Sequence, residues 1–377
     1  MTDTERIQIA APCLDGNEAS YVQECLTSTW ISSAGRFIAQ FEAGFAEFCD
    51  VEHAIATNNG TTAIHLALAA LGVGPGDEVI VPTLTYIATA NAVRYCGATP
   101  VLADSEPVGM TIDAHDVARK ITPRTKAIIP VHLYGQAADM TSINALAGEH
   151  GVAVVEDAAE AHGARADGRL VGSIGTCASF SFFGNKILTT GEGGAVTTND
   201  PNLAARLRLL RGQGMDLNRR YWFPVIGYNY RMTNIAAAIG LAQLEGVERK
   251  LAQRKALAAG YDVRLSGQPH VRTPVAPPWS ASVTWLYTVL LDVSSAEQRD
   301  EVGRRLAADG IETRPVFYPM HQMPPYFEAD GQYPIADSSA RRGLSLPTHV
   351  ALTESHLDRI CERLLAHVGA VLSEGRA

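Results

Sequence analysis

No apolar run in this chain is long enough to cross a membrane. Charged or turn-forming residues interrupt each stretch before the roughly 18 residues that a spanning helix needs. The first residues, Met-Thr-Asp-Thr-Glu-Arg, are polar and lack the apolar centre of a signal peptide, so a cytoplasmic protein is expected. No Cys-x-x-Cys pair occurs among Cys13, Cys25, Cys49, Cys96, Cys177 and Cys361. Zinc-ribbon and thioredoxin readings therefore fail, and the cysteines read as reduced core residues. No cluster of His, Cys and carboxylates has metal-ligand spacing, so no metal is expected. Positive charge is also short. The 31 Lys and Arg face 40 Asp and Glu, a net charge of −9, which argues against bulk binding to nucleic acid or anionic membrane. A local basic pocket for a phosphorylated ligand stays compatible with that balance. Repeats and low-complexity tracts are lacking too. Apolar residues are not scarce: they make up 46% of 377 residues, enough for one large domain and a smaller one.

Helical and strand patterns alternate through the first 200 residues. Thr61 to Leu71 is rich in Ala and Leu and predicts a buried helix. Val79 to Val81, Ala127 to Val131 and Val152 to Val155 predict short buried strands, the first ended by Pro82. Residues 139–149 predict a helix between the last two. This rhythm predicts an α/β fold with a mostly parallel sheet covered by helices on both faces. Gly72, Gly74 and Gly76 follow a helix and precede a strand, the reverse of a dinucleotide-binding loop, and read as a turn. Residues 243–264 predict a long charged helix, and residues 267–280 a surface loop rich in Pro, Gly and Ser. A strand over 284–293 and helices over 297–309 and 354–372 predict a smaller α+β domain. The division expected is 1–245 for the large domain and 246–377 for the small one.

The densest chemistry surrounds Lys186 in Ser181-Phe-Phe-Gly-Asn-Lys-Ile-Leu-Thr-Thr-Gly-Glu-Gly-Gly. Phe180, Phe182 and Phe183 give this amine an apolar frame, and desolvation lowers a lysine pKa. A lysine held still, partly dry and near a carbonyl does covalent chemistry. Asp157 follows the apolar run Val-Ala-Val-Val-Glu, and ligands in open α/β sheets sit beyond the carboxyl ends of strands. It reads either as a carboxylate for a pyridinium nitrogen or as a helix cap. Asn58-Asn-Gly-Thr-Thr opens onto the predicted helix at Thr61. That turn is either a phosphate seat or an ordinary N-cap. Tyr86, just after a strand, either stacks on a flat ring or packs in the core. His162 touches a ligand or is a structural histidine; His65 reads as structural. An amine, an acid at a strand end and small hydroxyl residues are the parts a pyridoxal phosphate (PLP) site needs.

Taken together, these segments resemble the PLP-dependent sugar aminotransferases of the DegT/StrS type, nearly end to end. The likeness runs through Trp30-Ile-Ser, Gly60-Thr-Thr, Gly76-Asp-Glu-Val-Ile-Val-Pro and Pro130-Val-His-Leu-Tyr-Gly. It continues through Glu156-Asp-Ala-Ala-Glu-Ala, Phe183-Gly-Asn-Lys, Gly227-Tyr-Asn-Tyr-Arg-Met-Thr-Asn, Gly310-Ile-Glu-Thr-Arg-Pro and Tyr318-Pro-Met-His. The Asp157 and Lys186 pair with the Gly-Glu-Gly-Gly turn is its most specific part. The resemblance implies the aspartate-aminotransferase fold, fold type I. It implies that Lys186 binds PLP covalently, that Asp157 partners the ring nitrogen and that Tyr86 stacks on the ring. Gly60, Thr61 and Ser181 are then phosphate contacts, and Glu160 lies near the cofactor's 3-hydroxyl. Asn229 resembles an asparagine that reaches the phosphate of a neighbouring subunit, which implies a homodimer with shared sites. His321 and Arg231 are candidates for the nucleotide-sugar.

The activity implied is transfer of an amino group from L-glutamate to a nucleotide-linked keto-deoxysugar, with a GDP-linked 4-keto-6-deoxy sugar as the expected substrate. Alternatives are a TDP- or UDP-linked sugar, a 3-keto sugar or a keto-cyclitol. A non-catalytic PLP-binding regulator is the rival from another class, and the intact Lys186 and Asp157 argue against it. Sugar dehydration is a third reading. Relatives that dehydrate tend to carry histidine in place of the lysine.

Overall fold

The computed structural model describes residues 6–216, 218–329 and 332–375. The polar start at residues 1–5 lies outside them.

Among the described residues, fourteen strands follow one another. They are β1 (His53–Thr57), β2 (Glu78–Pro82), β3 (Thr99–Ala103), β4 (Thr125–Ile128), β5 (Ala153–Asp157), β6 (Arg165–Ala166) and β7 (Arg169–Leu170). Then come β8 (Cys177–Ser181), β9 (Gly194–Thr198), β10 (Val271–Arg272), β11 (Ser280–Ala281), β12 (Tyr287–Leu291), β13 (Arg314–Pro315) and β14 (Gly343–Leu346). A seven-stranded sheet has the order β1-β9-β8-β5-β4-β2-β3. The pairs β2/β3, β2/β4, β4/β5 and β5/β8 are parallel, while β9 is antiparallel to both β8 and β1. Six strands therefore run one way and β9 alone opposes them. Apolar clusters cover both faces. One gathers around the helix Gly60–Ala70, the other around Phe37, Phe41 and Phe45 of the helix Arg36–Cys49. This is the mostly parallel mixed sheet of the fold type I aminotransferases.

The C-terminal third builds an antiparallel sheet, β10-β12-β14-β13, around a cluster with Tyr261, Tyr287 and Leu364. The helices Val247–Leu265, Ala296–Ala308 and Glu354–Glu374 pack there.

Local chemistry accounts for the boundaries. Asn59 caps the helix Gly60–Ala70 by accepting from Thr62 N at 2.9 Å. Asp139, Asp200, Thr233 and Ser295 cap four others in the same way. Three expectations need correction. The charged helix expected over 243–264 is broken, because Asn234–Glu245 ends and Val247–Leu265 begins at Gly246. The strand expected to reach Val131 stops at Ile128, since Pro130 offers no N–H to a ladder. The loop expected over 267–280 carries the short strand β10, which pairs with β12.

Candidate active site

Because six strands share a direction, the C-terminal ends of β1, β2, β5 and β8 meet at one edge. The opposing β9 begins there. Asp157 ends β5, Ser181 ends β8, and Gly60 follows β1 through two residues. The Gly-Glu-Gly-Gly turn leads into β9, so Lys186 is held between Ser181 and Gly194. These ends surround a cavity of about 490 Å³ lined by Gly60, Thr61, Tyr86, Asp157, Glu160, Ser181 and Lys186. Seven of the ten residues singled out in the sequence thus share one space.

Asp157 is buried. Thr89 Oγ1 donates to its Oδ2 at 2.8 Å, and Ala159 N donates to Oδ1 at 3.2 Å. Desolvation nonetheless dominates and pushes its pKa up, against those hydrogen bonds and the nearby Lys186 charge. Glu160 is likewise pushed up by burial; its Oε2 accepts from Tyr134 N at 2.8 Å, and its Oε1 stands 3.6 Å from Lys186 Nζ. Burial pulls the Lys186 pKa down, opposed by Glu160 and Asp157. Three groups are thus biased toward their neutral forms, and each is ready to respond to a charged ligand.

The strand carrying Asp157 is anchored by its neighbour. Glu156 accepts from Gly172 N at 2.9 Å and from Ile174 N and Gly175 N at 2.8 Å each. Ala138 N donates to His132 Nδ1 at 3.1 Å, so His132 Nε2 carries the proton that it gives Glu156 Oε2 at 3.0 Å. Burial alone would raise the Glu156 pKa, but His132 and the backbone donors outweigh it and hold it low.

Of the two readings of 58–62, the helix cap is present at Asn59, and Gly60 and Thr61 line the cavity. A Cβ at Gly60 would lie 2.7 Å from Ser181 Cβ, so only glycine lets the two elements approach this closely. Tyr86 is 60% exposed, and its ring leans on Phe317 with centroids 5.9 Å apart. A buried carboxylate, a dry amine, an aromatic face and a glycine-lined helix start fit the ring nitrogen, carbonyl, ring face and phosphate of PLP.

Three candidates lie outside the cavity walls. Asn229 is exposed and accepts from Arg231 at 3.1 Å. Arg231 bridges Thr57 of β1. His321 is buried between Thr83 Oγ1 at 2.8 Å and Asp337 Oδ1 at 3.1 Å. His162 also stays away from the cavity, sealed among Phe45, Phe180 and Phe182. His65 meets Tyr230 OH at 2.9 Å. Among the described residues, no group of three His, Cys or carboxylate side chains is placed to hold a metal, and no helix is long and apolar enough to cross a membrane.

Among the cavity residues that sequence reasoning missed are Thr89, Trp285, Arg314 and Phe317. Arg314 lay inside a quoted motif without a role. Trp285 lay inside a predicted strand, and nothing in a strand pattern announces that one residue reaches the cavity.

The model of the DegT/DnrJ/EryC1/StrS aminotransferase family matches residues 12–365. The chain belongs to that family. Membership makes it a transaminase whose cofactor is pyridoxal phosphate. It is 58% identical to the GDP-perosamine synthase of Caulobacter vibrioides, over 97% of this chain and 99% of the relative. It is 47% identical to the GDP-perosamine synthase of Escherichia coli O157:H7, over 95% and 97% respectively. The PLP form of the sugar aminotransferase Spr1654 from Streptococcus pneumoniae superposes with a TM-score of 0.92 at 28% identity, covering 97% of this chain and 100% of that one.

Proposed function

We propose that this aminotransferase converts GDP-4-keto-6-deoxymannose to GDP-perosamine with L-glutamate as amino donor, in a homodimer whose sites are shared. The observation that carries the chemistry is that the Lys186 amine and the Asp157 carboxylate line one buried cavity. The sugar rests on the likeness to two GDP-perosamine synthases over nearly the whole chain.

When bound, PLP supplies a carbonyl that condenses with amines and a ring that draws electrons from the bond being broken. In this reading Lys186 holds the cofactor covalently and, once free, takes the proton from the donor's α-carbon at its Nζ. Burial suits it to that task, because a base must be neutral when it acts. Asp157 keeps a proton on the ring nitrogen, and a positive partner there offsets the desolvation that raises its pKa. Gly60, Thr61 and Ser181 seat the phosphate, with Asn229 supplied by the partner subunit. Tyr86 covers the ring, and Glu160 stands near its hydroxyl. Arg231 and His321 are assigned no direct contact; each is engaged with protein groups outside the cavity. Residues 1–245 form the cofactor domain and 246–377 the smaller one, with Gly246 at the break between two helices.

The test is product analysis with purified protein, PLP, glutamate and a panel of nucleotide keto-sugars. GDP-4-keto-6-deoxymannose is expected to give a GDP-linked 4-amino sugar and an equal amount of 2-oxoglutarate. Preference for a TDP- or UDP-linked sugar would overturn the substrate, and a deoxygenated product would overturn the reaction. Lys186→Ala is expected to lose at least about 100-fold in rate, as removal of a general base does.

A further inference from the structure

Lys186 is held from a direction that its own segment does not reveal. Its Nζ lies 3.8 Å from the centroid of the Trp285 ring. The carboxylate partner, Glu160, stands at 3.6 Å, beyond the roughly 2.7–3.2 Å of a directed hydrogen bond. A cation within about 6 Å of an indole centroid is well inside the range of attraction to its face. The ring therefore holds the amine from its face, while Glu160, at a similar distance, gives an ionic contact.

The indole is also fixed on every side. Its Nε1 donates to Asn185 O at 2.8 Å, next to the lysine itself. Its backbone N donates to Tyr134 O at 3.0 Å, and its carbonyl accepts from the buried Arg254 at 3.0 Å. Tyr134 stacks on it at 13° with centroids 6.1 Å apart, and Phe317 stacks on Tyr134 at 14° and 5.4 Å. At 3% exposure, Trp285 is a built surface rather than a passing neighbour.

We propose that Trp285 is a positioning residue whose indole face receives the Lys186 amine whenever that amine is not bonded to the cofactor. This rests on the reading of Lys186 as the cofactor-binding lysine. The negative face of the ring favours the ammonium form, in a cavity where burial favours the neutral one. Glu160 and Asp157 also favour the charge, and Arg314 disfavours it. Glu192 lines the same cavity, while Lys250 and Arg254 line the narrow space behind the lysine. Among the described residues Trp285 is the one aromatic group seen over the amine, so it tunes the pH at which the free lysine becomes a base.

The test uses cofactor-free full-length protein. Trace acetylation across a pH series, read by mass spectrometry on the Lys186 peptide, gives the midpoint at which the amine becomes reactive. Trp285→Leu removes the π face, and Trp285→Phe keeps one while losing the Nε1 donor. The Leu variant is expected to lower the midpoint by about one pH unit, as loss of a partly desolvated cation–π contact implies. The Phe variant is expected to lower it less. A midpoint unchanged in the Leu variant overturns the proposal, and so does an equal fall in both variants, which would trace to the lost Nε1 bond. If circular dichroism shows the Leu variant unfolded, Trp285→Met, which also removes the π face but fills more of the space, takes its place under the same criteria. Failure of the underlying lysine reading looks different. Wild-type protein would then take up no PLP on Lys186, by absorbance or by mass, at any pH.

Discussion

Among the described residues Thr89 gives Asp157 its one side-chain hydrogen bond, at 2.8 Å, from the helix Ala88–Tyr95. Thr89→Val keeps the shape and removes the donor. A hydrogen bond to a charged group contributes about 1.5–3 kcal/mol, so PLP affinity is expected to fall about 10- to 100-fold by spectroscopic titration. An unchanged affinity would mean that Thr89 does not support the ionised carboxylate. His162 governs a different property. Among the described residues neither ring nitrogen has a hydrogen-bond partner, the Ser181 backbone falling short of one, and burial pushes its pKa down to about 3. The unfolded chain, near 6.5, binds a proton that the folded state refuses. Above that value His162 costs nothing; as pH falls toward 3 it withdraws stability, by at most about 1.4 kcal/mol per pH unit. His162→Leu should flatten the acid limb of a pH–stability curve from urea melts, and an unaltered slope would sink this account. Asp157 and Lys186 were legible in the sequence because a strand end and an aromatic frame mark them. Thr89 was not, because its partner is 68 residues away and threonine on a helix carries no mark of its own.

The cavity depends on how closely two elements approach. The helix Gly60–Ala70 starts where β8 ends, and the missing Cβ of Gly60 is what permits it. In Gly60→Ala the new methyl would meet Ser181 Cβ at 2.7 Å, an atom fixed to the strand that cannot swing away. Overpacking of this kind costs about 1–3 kcal/mol. The variant is expected to melt several degrees lower and to bind inorganic phosphate and PLP more weakly. Normal phosphate binding would show that the gap between helix and strand is not the seat. The helix itself was legible from its Ala and Leu content. The strands β8 and β9 were not. Cys-Ala-Ser-Phe-Ser and Gly-Ala-Val-Thr-Thr mix small, polar and apolar residues, so neither shows an apolar run or a clean alternation. Tyr134 is a further case: it sits at φ 53° between Glu160 and Trp285, and only the tertiary contacts impose that strained turn.

At the scale of the molecule, the single chain exposes too much. Its accessible surface is 16344 Å², while a 40.3 kDa monomer is expected to show about 14,500 Å². The excess, about 1,800 Å², is of the size that one protomer would bury in the homodimer proposed above. Exposed apolar side chains supply the means: Tyr221, Trp222, Phe223 and Ile226, the last 94% exposed, lie on the segment that leads to Asn229. The net charge of −9 disfavours casual association, so an interface there must bury those side chains well. Ile226→Glu is expected to shift sedimentation toward the monomer and to weaken PLP retention with it. A complementation experiment tests sharing directly. Lys186→Ala removes the lysine from its own site, and Asn229→Ala removes the asparagine from the partner's site, so a mixed dimer confines both losses to one of its two sites. Refolding the two variants together should therefore raise activity above the sum of the two alone. Activity equal to that sum, with mixed dimers verified by mass, would mean that each chain completes its own site.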